Sequence, residues 1–227
     1  MNLTLEQVAR MIDLSAVRAE ADEAEVRAMV EFGRQFRCTC ASTLPCHTPL
    51  LISLLAGQSD VHVGGNVAFP SGGATTAIKA AEARDLVGMG CQELDMVLNI
   101  GLLRSGHQRR AADDIAGVIE AAGGVPVKVI LECHYLTDDE IRLGCDACLE
   151  AGADWVKTGT GWAPTGATPQ RVALIKSCVG DALGIKAAGG VRDLAAVLDL
   201  YRAGARRFGA RVESARRILE ECAKQRT

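Results

Sequence analysis

Aromatic residues make up only 4% of this 227-residue sequence, and there are only six lysines beside nineteen arginines. A basic surplus is also missing: 25 Lys and Arg stand against 28 Asp and Glu, for a net charge of -3. That balance argues against nucleic acid as a partner, and no run of like charges marks a disordered tail. No apolar run approaches the roughly 20 residues that cross a bilayer, so no membrane contact is expected. The N-terminal stretch "MNLTLEQVARMIDLS" reads as the start of an amphipathic helix and not as a signal peptide. No Pro/Ser-rich linker divides the chain, so residues 1–227 are read as one domain that opens with a short helix. No GxGxxG opens a helix after a strand, which removes the dinucleotide fingerprint. Nine cysteines are an odd number, and Cys145-x-x-Cys148 has no second pair to complete a zinc site. They are read as reduced thiols of a cytoplasmic protein, with no metal and no cofactor.

What is present is a repeated unit: a short apolar strand, a turn rich in Gly, Pro, Ser or Thr, then an amphipathic helix. Strands are predicted at Met11–Leu14, Arg37–Ala41, Val61–Val67, Glu93–Leu98, Val127–Glu132, Trp155–Thr160, Gly184–Ala188 and Arg207–Arg211. Between them, segments such as "ATTAIKAAEARDLVGMG" and "DLAAVLDLYRAGA" carry apolar residues at three- and four-residue spacing. Several end in Gly just before a strand, as in "EAGADWV", a helix C-cap signal. Eight strands alternating with helices predict an α/β fold, a (β/α)8 TIM barrel; a doubly wound open sheet is the alternative.

Three of the six lysines fall inside predicted strands: Lys128 in "VKVILE", Lys157 in "WVKTGT" and Lys186 in "GIKAAGG". Lysine is seldom buried without a partner. Strand side chains alternate faces, so Lys157 shares a face with Gly159, and Lys186 with Gly184 and Ala188. Small neighbours there leave room for a substrate. Both lysines precede Gly-rich turns at the carboxyl ends of their strands, where barrel active sites lie. Asp95 is a charge inside a buried strand of the same kind. A structural ion pair between Asp95 and one lysine is one reading, but it accounts for one amine and not three. Converging, desolvated ammonium groups lower a lysine pKa, and a free amine is what attack on a carbonyl requires.

At this point the sequence resembles a family, the class I deoxyribose-phosphate aldolases. The resemblance is carried by "MIDLS", "NVAFPSGGATTAIKAAEA", "ELDMVLNIGLLRSG", "VKVILECHYLTDDEI", "AGADWVKTGTGW", "GIKAAGGVRD" and "RFGAR". It implies a (β/α)8 enzyme that cleaves 2-deoxy-D-ribose 5-phosphate to glyceraldehyde 3-phosphate and acetaldehyde through a Schiff base. Lys157 then matches the Schiff-base lysine. Lys186 matches a second lysine that perturbs the first, and Asp95 its partner in proton transfer. Asp13 and Ser15 match residues near the aldehyde hydroxyl. Thr160, Gly161, Gly189 and Gly190 match the turns that hold the substrate, and Lys128 matches a lysine paired with carboxylates. A small phosphosugar or aldehyde is the expected partner, and a homodimer the expected assembly.

The anion-binding turns depart from the family pattern. Gly159 stands where a serine is usual, Trp162 where a lysine or a small residue is expected, and Arg211-Val212 where two small residues are expected. Arg211 is read either as an anion-binding fork or as an exposed arginine opening a helix. Two functional alternatives follow: the same chemistry on an unphosphorylated or carboxylated substrate, and a non-catalytic phosphosugar-binding barrel.

Overall fold

The computed structural model describes residues 3–57 and 60–225; Met1 and Asn2 of the predicted N-terminal helix lie outside them. Helix α1 (Leu5–Ala9) begins with a capping box in which Thr4 and Gln7 satisfy each other's backbone. The chain continues with β1 (Ile12–Ala16), α2 (Glu23–Phe36), β2 (Cys40–Thr43), α3 (Thr48–Leu55), β3 (His62–Val67) and α4 (Thr76–Met89). Next come β4 (Glu93–Val97), α5 (Ile100–Arg104), α6 (Gln108–Ala122), β5 (Val127–Ile130) and α7 (Asp138–Ala151). It ends with β6 (Trp155–Lys157), α8 (Pro169–Val179), β7 (Gly184–Ala188), α9 (Leu194–Ala203), β8 (Arg207–Ala210) and α10 (Val212–Lys224). All eight strands are parallel, each beside the next, and β1 pairs with β8 to close the barrel. The open-sheet alternative is thereby removed.

Every predicted strand is present; β7 has the predicted bounds, and the others are shifted at one end or both. Arg37 does not open β2: it adopts a left-handed conformation at the end of α2, and Cys38 N–H donates to Gly33 O, so these residues close the helix. Strand β6 stops at Lys157, three residues short of the prediction. There the Thr158 hydroxyl bonds both the carbonyl and the amide of Ala188, so a side chain takes over the next rung. Glu132 turns left-handed beyond β5 and Arg211 becomes the N-cap of α10, which ends both strands early. The helix stop read in "EAGADWV" is present: Gly152 is the left-handed cap of α7.

The strand alternation separates two interiors. Leu14, Leu94, Met96, Val129, Val156, Ile185 and Phe208 are fully buried toward the helices. Each such side chain stabilises the fold by about 1.5–3 kcal/mol relative to exposure. The other strand face points into the barrel and carries Asp13, Glu93, Asp95, Lys128, Lys157, Lys186 and Arg207. No helix among the described residues is long and apolar enough to cross a membrane.

Candidate active site

The register of the barrel decides which charges meet. Lys157 lies opposite Lys186, Lys186 opposite Arg207, and Asp95 between Asn66 and Lys128. Asp95 Oδ2 accepts a hydrogen bond from Lys157 Nζ and another from Lys186 Nζ, both at 2.7 Å. Its second oxygen, Oδ1, is 3.2 Å from Lys128 Nζ. One aspartate therefore pairs with all three strand lysines, which corrects the expectation that an ion pair accounts for a single amine. Lys186 also lies 2.7 Å from Asp13 Oδ2, off the line of a hydrogen bond, so that contact is Coulombic. Arg207 Nε donates to Asp13 Oδ1 at 2.7 Å and Arg207 Nη2 to Glu93 Oε2 at 2.9 Å. Lys128 donates to the same Glu93 oxygen, and His62 Nδ1 is 2.6 Å from Glu93 Oε1.

Apart from His62, this ring holds three carboxylates and four bases, one positive charge in excess if all are ionised. The excess has to be relieved somewhere, because unbalanced charge is costly in a dry interior. Burial disfavours ionised Asp95, yet Lys157, Lys186 and Lys128 hold its carboxyl well below the usual range. Burial opposes Glu93 too, but Lys128 and Arg207 bring it down to about 2. Burial lowers Lys186, but Asp13 and Asp95 outweigh it and leave this amine raised. Only Lys157 among the three comes out lowered, to about 8. Burial is the main cause; Asp95 opposes it, and Lys186 and Lys128 add to it. Both effects read from the sequence, desolvation and like-charge proximity, lower this amine, and burial is the larger.

Lys157 and Lys186 open on a cavity of about 340 Å³ at the carboxyl end of the barrel. Of the residues predicted to bind substrate, Asp13, Ser15, Thr160, Gly161, Gly189, Gly190 and Arg211 all line it; Asp95 lies beneath, behind the two amines. Both Thr160 donors are taken by the buried carboxylate of Glu132, so this residue holds the turn in place. The glycine at 159 has a local reason: a Cβ there would sit 2.7 Å from Glu132 Oε1. Gly189 and Gly190 have φ of +84° and +87°, conformations that other residues reach only under strain. Arg211 is exposed at the cavity mouth as the N-cap of α10, and its side chain makes no hydrogen bond among the described residues.

Sequence reasoning missed Glu93 and Arg207 as members of the ring. Glu93 precedes Asp95 by two positions in one strand, and that same-face spacing was the available signal. It also missed Ser42, Asn66, Arg18 and Arg192, which line the cavity. Nothing in their local sequence marks them, since it is the closure of the barrel that brings them together.

Known proteins share this sequence and this fold. The sequence matches the family described as DeoC/LacD family aldolase over residues 4–214. It is 46% identical to a deoxyribose-phosphate aldolase of Klebsiella pneumoniae, over 97% of this chain and 90% of that protein. It is 44% identical to a deoxyribose-phosphate aldolase of Methanothermobacter thermautotrophicus, over 91% and 92% of the two chains. The crystallised deoxyribose phosphate aldolase of Aeropyrum pernix, described as a unique tetramer, superposes with a TM-score of 0.89 at 31% identity, over 99% of this chain and 94% of that one. The matched span runs through all eight barrel strands and their inward charges, and on that ground the chain belongs to the DeoC/LacD family of aldolases.

Proposed function

We propose that the protein is a Schiff-base aldolase that reversibly cleaves 2-deoxy-D-ribose 5-phosphate to glyceraldehyde 3-phosphate and acetaldehyde. The observation that carries this reading is a buried lysine amine brought down to about 8, facing a cavity, beside an ionised Asp95 and a second, protonated lysine. Its relatives bear the name of that activity.

Lys157 attacks the C1 carbonyl of the open-chain sugar, and loss of water gives an iminium. Asp95 and Lys186, acting through water, take the proton from the 3-hydroxyl. The C2–C3 electron pair then flows toward the iminium, the bond breaks, and glyceraldehyde 3-phosphate leaves. The remaining enamine takes a proton at C2, and hydrolysis frees acetaldehyde and Lys157. The iminium supplies the electron sink. Asp13 and Ser15 face the sugar hydroxyls, and the turns at Thr160–Gly161 and Gly189–Gly190, with Arg211, face its anionic end.

A second reading keeps the chemistry and replaces the phosphate by a carboxylate. Three arginines at the cavity mouth, Arg18, Arg192 and Arg211, favour an anion of either kind. We read the whole chain as one aldolase domain acting as a homodimer in the cytoplasm. Nine cysteines without a disulfide fit a reducing compartment. The test is turnover of 2-deoxyribose 5-phosphate, 2-deoxyribose and a carboxylated analogue by the wild type and by Lys157→Ala. Preference for the phosphorylated sugar, lost in the variant, supports the reading; preference for the carboxylated analogue replaces the substrate, and turnover by Lys157→Ala removes the mechanism.

A further inference from the structure

The three mouth arginines are not equivalent. Arg192 and Arg211 are exposed, and neither side chain makes a hydrogen bond among the described residues. Arg18, with 39% of its side chain exposed, is held from two sides. Its guanidinium lies over the Trp162 ring, 5.0 Å from the centroid, and its Nη1 donates to Gly161 O at 3.4 Å. Trp162 is fixed in turn. Its Nε1 donates to Val17 O at 2.9 Å, its amide donates to Thr160 Oγ1 at 3.0 Å, and its ring meets Phe69 edge-on at 6.2 Å. The indole thus ties the turn after β6 to the turn after β1, and Arg18 closes the same loop from the other side.

Where this places the charge matters. Gly161 is packed on the Gly-rich turn: its Cα is 3.7 Å from where a Gly189 Cβ would lie. Arg18 and the turn that follows β7 therefore line the same cavity, whose floor is Lys157. The nearest carboxylate is the exposed Glu20, 3.9 Å from Nε, too weak a partner to neutralise it. A planar cation stacked on an aromatic ring and already ordered loses little freedom when an anion arrives.

Resting on the aldolase reading, we propose that Arg18 is a specificity-determining residue that binds the anionic end of the substrate, and that Trp162 is the positioning residue that holds it there. Arg192 and Arg211 add only long-range attraction. The arrangement separates two properties that usually travel together: the chemistry is set by the barrel floor, and the preference for an anionic sugar by a clasp between two loops.

The test compares kcat and KM for 2-deoxyribose 5-phosphate and for 2-deoxyribose in the wild type, Arg18→Ala, Arg18→Lys, Trp162→Phe and Trp162→Leu, with thermal melting to confirm folding. The ratio of kcat/KM for the two sugars is expected to fall about tenfold in Arg18→Ala, mostly through KM for the phosphorylated sugar. Arg18→Lys, which keeps the charge without the fork, falls between. Trp162→Phe keeps a ring and loses less than Trp162→Leu, and the double variant Arg18→Ala/Trp162→Leu is no worse than Arg18→Ala, because the two act as one unit. An unchanged ratio in Arg18→Ala, or full additivity in the double variant, overturns the proposal. If the wild type cleaves neither sugar, it is the aldolase reading that fails. Calorimetric titration with inorganic phosphate then decides the Arg18 assignment: weaker binding by Arg18→Ala sustains it, and equal binding overturns it.

Discussion

Lys79 and Lys157 are both buried lysines in contact with an aspartate, one between α4 and α6, the other inside the barrel. Lys79 Nζ donates to Asp114 Oδ2 at 2.6 Å and to Val97 O at 2.8 Å, while Thr76 Oγ1 donates to Asp114 Oδ1 at 2.8 Å. Lysine and aspartate are matched one to one, and both are fully buried. Lys157 instead shares a single oxygen of Asp95 with Lys186 and faces the cavity. Burial is the leading influence on both amines and lowers both, with Asp114 and Asp95 respectively opposing it. The difference lies in the count of charges. Removing Lys79 leaves a buried carboxylate with the Thr76 hydroxyl but no counter-charge, whereas removing Lys157 leaves a ring whose charges balance. One amine is needed by the fold, and the other is free to react.

That comparison breaks most visibly in Lys157→Ala. Turnover is expected to be abolished, while the melting temperature stays close to that of the wild type, because Asp95 keeps Lys186 and Lys128. A large loss of stability in Lys157→Ala, measured by denaturant unfolding, would show that Lys157 belongs with Lys79. Lys79→Met tests the other side. Orphaning Asp114 costs about 3–5 kcal/mol of stability, with catalysis per folded molecule retained. Adding Asp114→Leu removes the lone charge and should recover most of that loss.

A third experiment sharpens the account of the low amine. The free-amine form of Lys157 grows as pH rises through about 8, so kcat/KM should rise through that region and level off above it. In Lys186→Leu one of the influences that lower Lys157 is gone. The midpoint should move upward, and each unit of that movement leaves about tenfold less free amine at neutral pH. An unmoved midpoint in a folded variant would remove Lys186 from the causes and leave burial with Lys128. The smallest effect is expected in Arg211→Ala. An exposed, unheld arginine contributes less than about fivefold to KM for the phosphorylated sugar. A larger loss than in Arg18→Ala would reverse the ranking of the mouth arginines.

How much of this was legible in the sequence follows from which forces are local. The strands and helices were readable because alternation and helical spacing are properties of short segments. The ends of β2 and β6 were not, because they depend on a left-handed Arg37 and on a Thr158 hydroxyl reaching the neighbouring strand. Lys157, Lys186 and Asp95 stood out as charges in apolar strands. That Asp95 serves all three lysines was hidden, since strand register around a closed barrel is not a local property. Arg18 and Trp162 lie 144 positions apart, and no spacing rule links them. The departure at Trp162 was visible in the sequence, but the arginine it holds was not.

The central claim is that one amine, Lys157, is the nucleophile among four buried lysines. Reduction with borohydride in the presence of acetaldehyde, followed by peptide mass analysis, reads it out directly. The account predicts a single ethyl adduct on Lys157, absent from Lys157→Ala and present on Lys79→Met. An adduct on Lys186, Lys128 or Lys79 in the wild type would contradict it.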